Sequence, residues 1–297
     1  MIDEKKILTE IYSNLYRRDV DYSLNIFLCG AETKKKDSIR ELLNIEFKKD
    51  AKFNAVYPEF IFSTLYGKGG SNLLELEDEL AKYVDVIVLP LEGIGTYCEL
   101  GAFAVNKELL PKIIAINSSE FKKSKSFINL GPLELLKRES KYDENIFYFD
   151  NGKESLVISQ VIERVKSKRY EKRLSYDFEN LFNLSRFILY LIAIFQPIEK
   201  EKLIELLIKL DKGKIKLKFV EASLQVLTQK NRIEQDVDSN TFKSNYSLSK
   251  EGHIYVFEEL IPKLQVKRNF SYLRSEIIND IYKPKKKILS RDKKLLV

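Results

Sequence analysis

The chain has 297 residues, of which 44% are hydrophobic, 32% charged and 11% aromatic, and it carries a formal net charge of +7. That length suits two globular domains, and the apolar fraction excludes a disordered or low-complexity polypeptide. The longest strongly apolar run, Phe187 to Phe195, is too short to cross a bilayer. The opening MIDEKK has no apolar stretch behind it, so a cytoplasmic protein with no membrane partner is expected. Two cysteines, Cys29 and Cys98, cannot build a disulfide framework or a zinc cluster, and they suit a reducing compartment. The single histidine, His253, excludes a His-rich metal site and, away from itself, a Ser-His-Asp triad. No metal and no resident cofactor are expected, and any catalysis falls to carboxylates.

Residues 1–150 hold 21 basic and 25 acidic side chains, whereas residues 151–297 hold 30 and 19. The first half alternates short apolar segments with helical patterns. Strands are expected at Leu24–Cys29, Phe53–Tyr57, Val84–Leu89, Lys112–Asn117 and Asn145–Phe149. Helices are expected near Asp37–Lys49, Asn72–Tyr83, Tyr97–Leu110, Pro132–Arg138 and Lys153–Lys168. Continuous runs such as VDVIVL mark strands buried on both faces of a parallel sheet. The fold class is therefore α/β, a doubly wound parallel, Rossmann-like sheet. Ligands in such folds bind beyond the carboxyl ends of the strands, which directs attention to CGAET, YPE and PLEGIGTYCE. Neither GxxxxGK[ST] nor a complete GxGxxG is present, which argues against a P-loop NTPase and a standard NAD dehydrogenase. Gly67, Gly69 and Gly70 form a loop that either approaches a phosphate or is only a turn.

Two acids stand out. Gly93 and Gly95 permit a tight turn, so a helix starting near Thr96 puts Glu99 in its first turn, where the helix dipole favours an ionised carboxylate. Such a carboxylate at the mouth of a sheet suits nucleophilic attack on a sugar carbon. Alternatively, Thr96-x-x-Glu99 is a capping box that only satisfies backbone amides. Glu77 shares an apolar stripe with Leu73, Leu80 and Val84, so it is either aimed into a cavity or exposed at the rim of a tilted helix.

The second half, residues 171–297 against 1–170, reads as a mainly helical winged-helix domain. Helices are expected at Tyr176–Phe195, Glu199–Lys209 and Lys218–Lys230, followed by a hairpin made of RIEQDV and TFKSNYSLS, and then a further helix from YSLSKEG. Lys214, Lys216, Lys218, Lys230, Arg232 and Lys243 surround the third helix and the wing, and are candidates for phosphate contact. The tail KPKKKILSRDKK, with Lys285, Lys286 and Lys287, is either an arm for an acidic partner or a solvated end. Winged helices also serve as protein-binding modules, and that alternative stays open.

The stretch GTYCELGAFA resembles the nucleophile region of nucleoside 2-deoxyribosyltransferases, with Glu99 on the nucleophilic glutamate and Gly101 on the following glycine. The resemblance implies substrate contacts for Glu77, Asp85, Glu92, Gly93, Gly95, Thr96 and Asn129, with Gly30 in the first post-strand loop. Phe27 stands where those transferases have a tyrosine, a departure that counts against ordinary base exchange between deoxynucleosides. Across NIFLCG, YPEFIF, LLELEDELAKYVDVIVLP, GTYCELGAFA and KSKSFINLGPLELL the chain resembles the effector proteins of type II retrons, in which a deoxyribosyltransferase-like domain is fused to a winged helix. This resemblance implies an abortive-infection toxin of anti-phage defence that acts as an N-glycosidase on NAD⁺ or a related nucleotide. It further implies restraint by the retron reverse transcriptase and its branched RNA–DNA (multicopy single-stranded DNA), within an oligomer or higher assembly. The contrasting expectation is a non-catalytic, nucleotide-sensing DNA-binding regulator.

Overall fold

The computed structural model describes residues 4–19, 23–31, 37–50, 52–59, 81–139, 144–168, 177–211, 214–239, 241–265 and 267–281. The chain opens with α1 (Glu4–Glu10), which continues through residues 11–18 in one wide and one tight turn. There follow β1 (Leu24–Leu28), α2 (Ile39–Lys48), β2 (Phe53–Val56), β3 (Val86–Pro90) and α3 (Ile94–Ala104). Next come β4 (Ile113–Ser118), α4 (Phe127–Leu130), α5 (Pro132–Glu139), β5 (Ile146–Phe149) and α6 (Glu154–Lys168). All five strands are parallel, in the order β2-β1-β3-β4-β5. The five expected strands are therefore present, each within two residues of its expected limits.

The side chains of β1, β3 and β4 alternate between two covered faces, which is why the runs look continuous in sequence. Leu24, Ile26, Leu28, Val86, Val88, Ile114 and Ile116 pack with Ile39, Leu43 and Phe47 of α2 and Val157, Val161 and Val165 of α6. Phe27, Cys29, Ile87, Leu89, Ile113 and Ala115 face the other way, toward Leu100, Phe103 and Ala104 of α3 and Leu133 and Leu136 of α5. This alternation turns the side of β1 that ends in Cys29 toward α3.

The carboxyl half contains α7 (Leu181–Phe195), β6 (Ile198–Glu199), α8 (Lys200–Asp211), α9 (Leu217–Gln229), β7 (Ile233–Val237) and β8 (Ser244–Leu248). It closes with α10 (Lys250–Ile254), a wide turn, α11 (Ile261–Leu264) and α12 (Lys267–Ile281). The three strands form an antiparallel sheet in the order β6-β8-β7. α7 begins five residues later than its apolar pattern suggests, because the Asn180 side chain accepts from the Phe182 and Asn183 amides at 2.9 and 3.2 Å and caps the helix there. Almost every side chain of α7 is buried, and one apolar core runs from the second face of the parallel sheet through α7 into α8 and α9. The α1 segment packs on that half as well, where Glu4 accepts from Lys202 and Lys209, both at 2.6 Å. Among the described residues no helix is long and apolar enough to cross a membrane.

Candidate active site

In the strand order, β1 lies between β2 and β3, so the chain reverses its direction of winding across the β1–β3 pair. The crevice beyond the carboxyl ends of such a pair is the ordinary ligand position of this architecture. Three post-strand segments meet there: Cys29 to Ala31 after β1, Tyr57 to Glu59 after β2, and Leu91 to Gly93 after β3.

Arg40, in the first turn of α2, ties them together. Its side chain is only 1% exposed. One guanidinium nitrogen donates to the Ala31 carbonyl at 2.8 Å, and the group holds both carboxylate oxygens of Glu59, at 2.6 and 2.5 Å. It also lies 4.1 Å from the Tyr57 ring centroid. Burial works against the Arg40 charge, but the bonds from Glu59 outweigh it and the pKa is raised. Gly30 makes this geometry possible. Its φ is +145°, and a Cβ there would sit 2.8 Å from two Arg40 side-chain carbons. The Tyr57 hydroxyl donates to Glu41 at 2.8 Å, and burial followed by that bond pushes its pKa up.

Glu99 lies on α3, facing this cluster. α3 starts at Ile94 with Gly93 as its cap, so Glu99 occupies the second helical turn rather than the first. The capping bonds join Gly93 and Thr96: the Thr96 hydroxyl donates to the Gly93 carbonyl at 2.7 Å and accepts from its amide at 3.4 Å. Thr96 is thus the third residue of its helix and reaches back to Gly93. The Thr96-x-x-Glu99 box therefore does not form, and Glu99 is not consumed by capping. One carboxylate oxygen of Glu99, Oε2, is buried with no hydrogen-bond partner. Burial is the main cause that raises its pKa, the nearby Glu59 adds to it, and the Cys29 thiol bond and Arg40 pull the other way. The expected stabilisation of its charge by the helix dipole is therefore overridden by desolvation.

Glu92 is a correction. Its carboxylate accepts from the Ile39 and Arg40 amides at 2.8 and 3.3 Å and caps α2 from the neighbouring loop, so the role the structure gives it is structural. Asp85 is a second correction. It precedes β3, at the opposite end of the sheet, where it accepts from the Asn25 amide at 2.8 Å and donates its own amide to the Asn25 carbonyl at 2.9 Å. Gly93 and Gly95 are a third, since Gly93 has an extended φ of −147° and Gly95 lies inside the helix; neither makes a tight turn. Asn129 lies beyond β4 at the same rim as Glu99. Its Nδ2 donates to the Phe121 and Ser124 carbonyls, both at 2.6 Å, shaping that loop, while its Oδ1 is buried without a partner. Glu77, Gly67, Gly69, Gly70, Lys285, Lys286 and Lys287 lie outside the described residues.

Lys214 and Lys216 are exposed just before α9, and Lys218 is half-buried on it. The Lys216 and Lys218 ammonium groups stand 5.5 and 5.6 Å from the Phe219 ring centroid. Lys230 is half-buried at the end of α9. Arg232 stacks at 3.9 Å on Tyr255 and donates to the Glu251 carbonyl at 3.3 Å, and Lys243 pairs with Glu199 at 2.8 Å. Sequence reasoning missed Arg40 and Glu59. They are nineteen residues apart, and no local pattern joins them.

The profile of the STM3845 retron effector protein family matches residues 36–235. A protein of retron Ec86 from Escherichia coli, whose name describes a ribosyltransferase/DNA-binding protein, is 30% identical over 221 residues, or 69% of this chain and 71% of that one. A protein of retron Ec73 from Escherichia coli, named in the same way, is 31% identical over 208 residues, covering 62% of this chain and 66% of that one.

Proposed function

The chain belongs to the STM3845 retron effector family, and we propose that it acts there as an N-glycosidase toxin that hydrolyses NAD⁺ or a related nucleotide through Glu99. The observation that carries this reading is the half-buried Glu99 carboxylate, one oxygen of which is buried without a hydrogen-bond partner, set beyond the carboxyl ends of β1 and β3. An acid left unsatisfied in a crevice is costly for folding and is best explained by a ligand that completes it. The ribosyltransferase names of the Ec86 and Ec73 proteins support the same class of chemistry.

In the proposed reaction Glu99 is ionised and attacks the anomeric carbon of the ribose. The C–N bond breaks, and nicotinamide leaves with the bonding electron pair, becoming neutral. Water then cleaves the sugar–Glu99 ester, giving the free sugar, one proton and the restored carboxylate. A cationic leaving group needs no general acid, so the absence of histidine from residues 1–170 is no obstacle. The Arg40–Glu59 pair and the Cys29 thiol orient the nucleophile, and burial, which raises the Glu99 pKa, makes its carboxylate the more reactive once ionised.

The division into a catalytic unit, residues 1–170, and a winged-helix unit, residues 171–297, belongs to this proposal. The order α7-β6-α8-α9-β7-β8 supports it, since that is the helix–strand–helix–helix–hairpin sequence of winged helices. Under this reading the carboxyl half binds the retron reverse transcriptase and its branched RNA–DNA, with Lys214, Lys216 and Lys218 best placed for phosphates.

The deciding experiment incubates the full-length protein with NAD⁺, nucleosides and deoxynucleotides and identifies any released base by chromatography and mass. Nicotinamide release is expected, reduced about 10³-fold or more in Glu99→Gln. Equal release by that variant overturns the role of Glu99, and no release from any substrate favours a nucleotide-sensing regulator.

A further inference from the structure

At the far end of the parallel sheet from Glu99, a cleft of about 450 Å³ opens between the two halves of the chain. Its size is that of an ordinary small-ligand site, and junctions of this kind are common places for one. Tyr12, beside α1, and Tyr83, just before β3, line one wall and are both half-buried. Phe178 and Phe219 form the floor. Around these rings stand three carboxylates, Asp177, Glu179 and Asp211, and two exposed ammonium groups, Lys214 and Lys216.

This mixture of charges narrows the occupant. An apolar ligand would use the rings and none of the charged groups. An arginine or lysine side chain from a protein partner would use the rings and carboxylates and leave the two lysines without a counterpart. A nucleotide uses all three features. Its base stacks on an aromatic face, its phosphate meets the lysines, and a base edge bearing N–H donors meets the carboxylates. Guanine fits best, because its N1–H and exocyclic N2–H₂ lie side by side and match the two oxygens of one carboxylate.

We propose that this junction cleft is a second nucleotide site, selective for guanine, either as a free nucleotide or as one unpaired base of a single-stranded nucleic acid. The base stacks on Tyr83, since the Phe219 ring is flanked by the Lys216 and Lys218 ammonium groups and Tyr12 already packs against Tyr16, Phe178 and Phe187. Asp211 reads its edge. Burial, with a smaller push from Glu179, raises the Asp211 pKa against the pull of Lys214 and the Ile215 amide, so N–H donors from a ligand would favour its charged form. The site is independent of the Glu99 chemistry and stands or falls without it.

The test measures binding of fluorescent, otherwise all-thymidine 15-mers carrying one central guanine, hypoxanthine or thymine, together with the thermal shift given by GMP or IMP. Hypoxanthine keeps N1–H and lacks only the exocyclic amine. The full-length chain is expected to bind the guanine probe, or to be stabilised by GMP, about tenfold more effectively than the hypoxanthine counterpart. Selectivity for the oligonucleotide identifies a single-strand source, and selectivity for GMP a free nucleotide. Asp211→Asn, which retains a side-chain oxygen for the Ile215 amide, should abolish the selectivity while circular dichroism and melting show the fold intact. Equal binding of guanine and hypoxanthine overturns the proposal. So does selectivity that survives Asp211→Asn, and so does selectivity lost in Glu99→Gln, which would put the ligand at the other end of the sheet.

Discussion

The two ends of the parallel sheet handle acidic residues in opposite ways. At the amino end, Asp85 exchanges hydrogen bonds with the Asn25 backbone and ties β3 to β1. At the carboxyl end, Glu92 caps a helix and Glu59 holds a buried arginine, yet Glu99 beside them keeps an unsatisfied oxygen. Acidity and nearness in sequence therefore do not distinguish a functional carboxylate from a structural one. What sets Glu99 apart from Glu59, Glu92 and Asp85 is a buried oxygen without a partner at the crevice beyond β1 and β3, because a fold gains no stability from it.

Substitutions can break this contrast one acid at a time. The largest loss of stability is expected from Arg40→Met, which unties the segments after β1 and β2 while the Arg40 amide still meets Glu92. Glu59 is 53% exposed and can return to water, so the cost should lie near the low end for a broken buried pair, about 3 kcal/mol by denaturant unfolding. Glu92→Ala removes the acceptor for two amides at the start of α2 and should cost about 1 kcal/mol in the same assay.

Glu99→Gln should do the reverse and raise stability. The Glu99 pKa lies above its ordinary 4.5 in the folded protein, so its contribution is complete below about pH 4.5 and is lost as pH rises through the folded-state value. The neutral variant does not suffer that loss. Its gain should vanish at pH 4 and reach a Tm increase on the order of 2 °C at neutral pH. A Tm that falls at neutral pH would show that Glu99 is a structural acid like the others. The smallest change is expected for Asp85→Asn, which retains an acceptor for the Asn25 amide and should stay within about 0.5 kcal/mol of the parent with unchanged turnover.

The sheet was legible because its information is local. Segments such as VIVLP are apolar at every position, and only a strand covered on both sides requires that. The candidate nucleophile was legible for a similar reason, since Gly-Thr-x-x-Glu is contiguous. Its exact setting was not. The glycines suggested a turn where α3 had already begun, and this placed Glu99 one turn too close to the helix end. The Arg40 cluster was hidden because its bonds join residues between 9 and 53 positions apart. The four-residue helix that carries Asn129 is too short to show a period at all.

The double grip of Lys202 and Lys209 on Glu4 spans about two-thirds of the chain. A ribosome builds proteins from the amino terminus, so α1 leaves the exit tunnel long before α8 has been translated. Until then the nascent polypeptide lacks the two lysines that hold Glu4. The grip on Glu4 must wait until α8 has been translated, and a fragment ending before α8 lacks both lysines, although residues 11–18 can already meet Phe187 of α7.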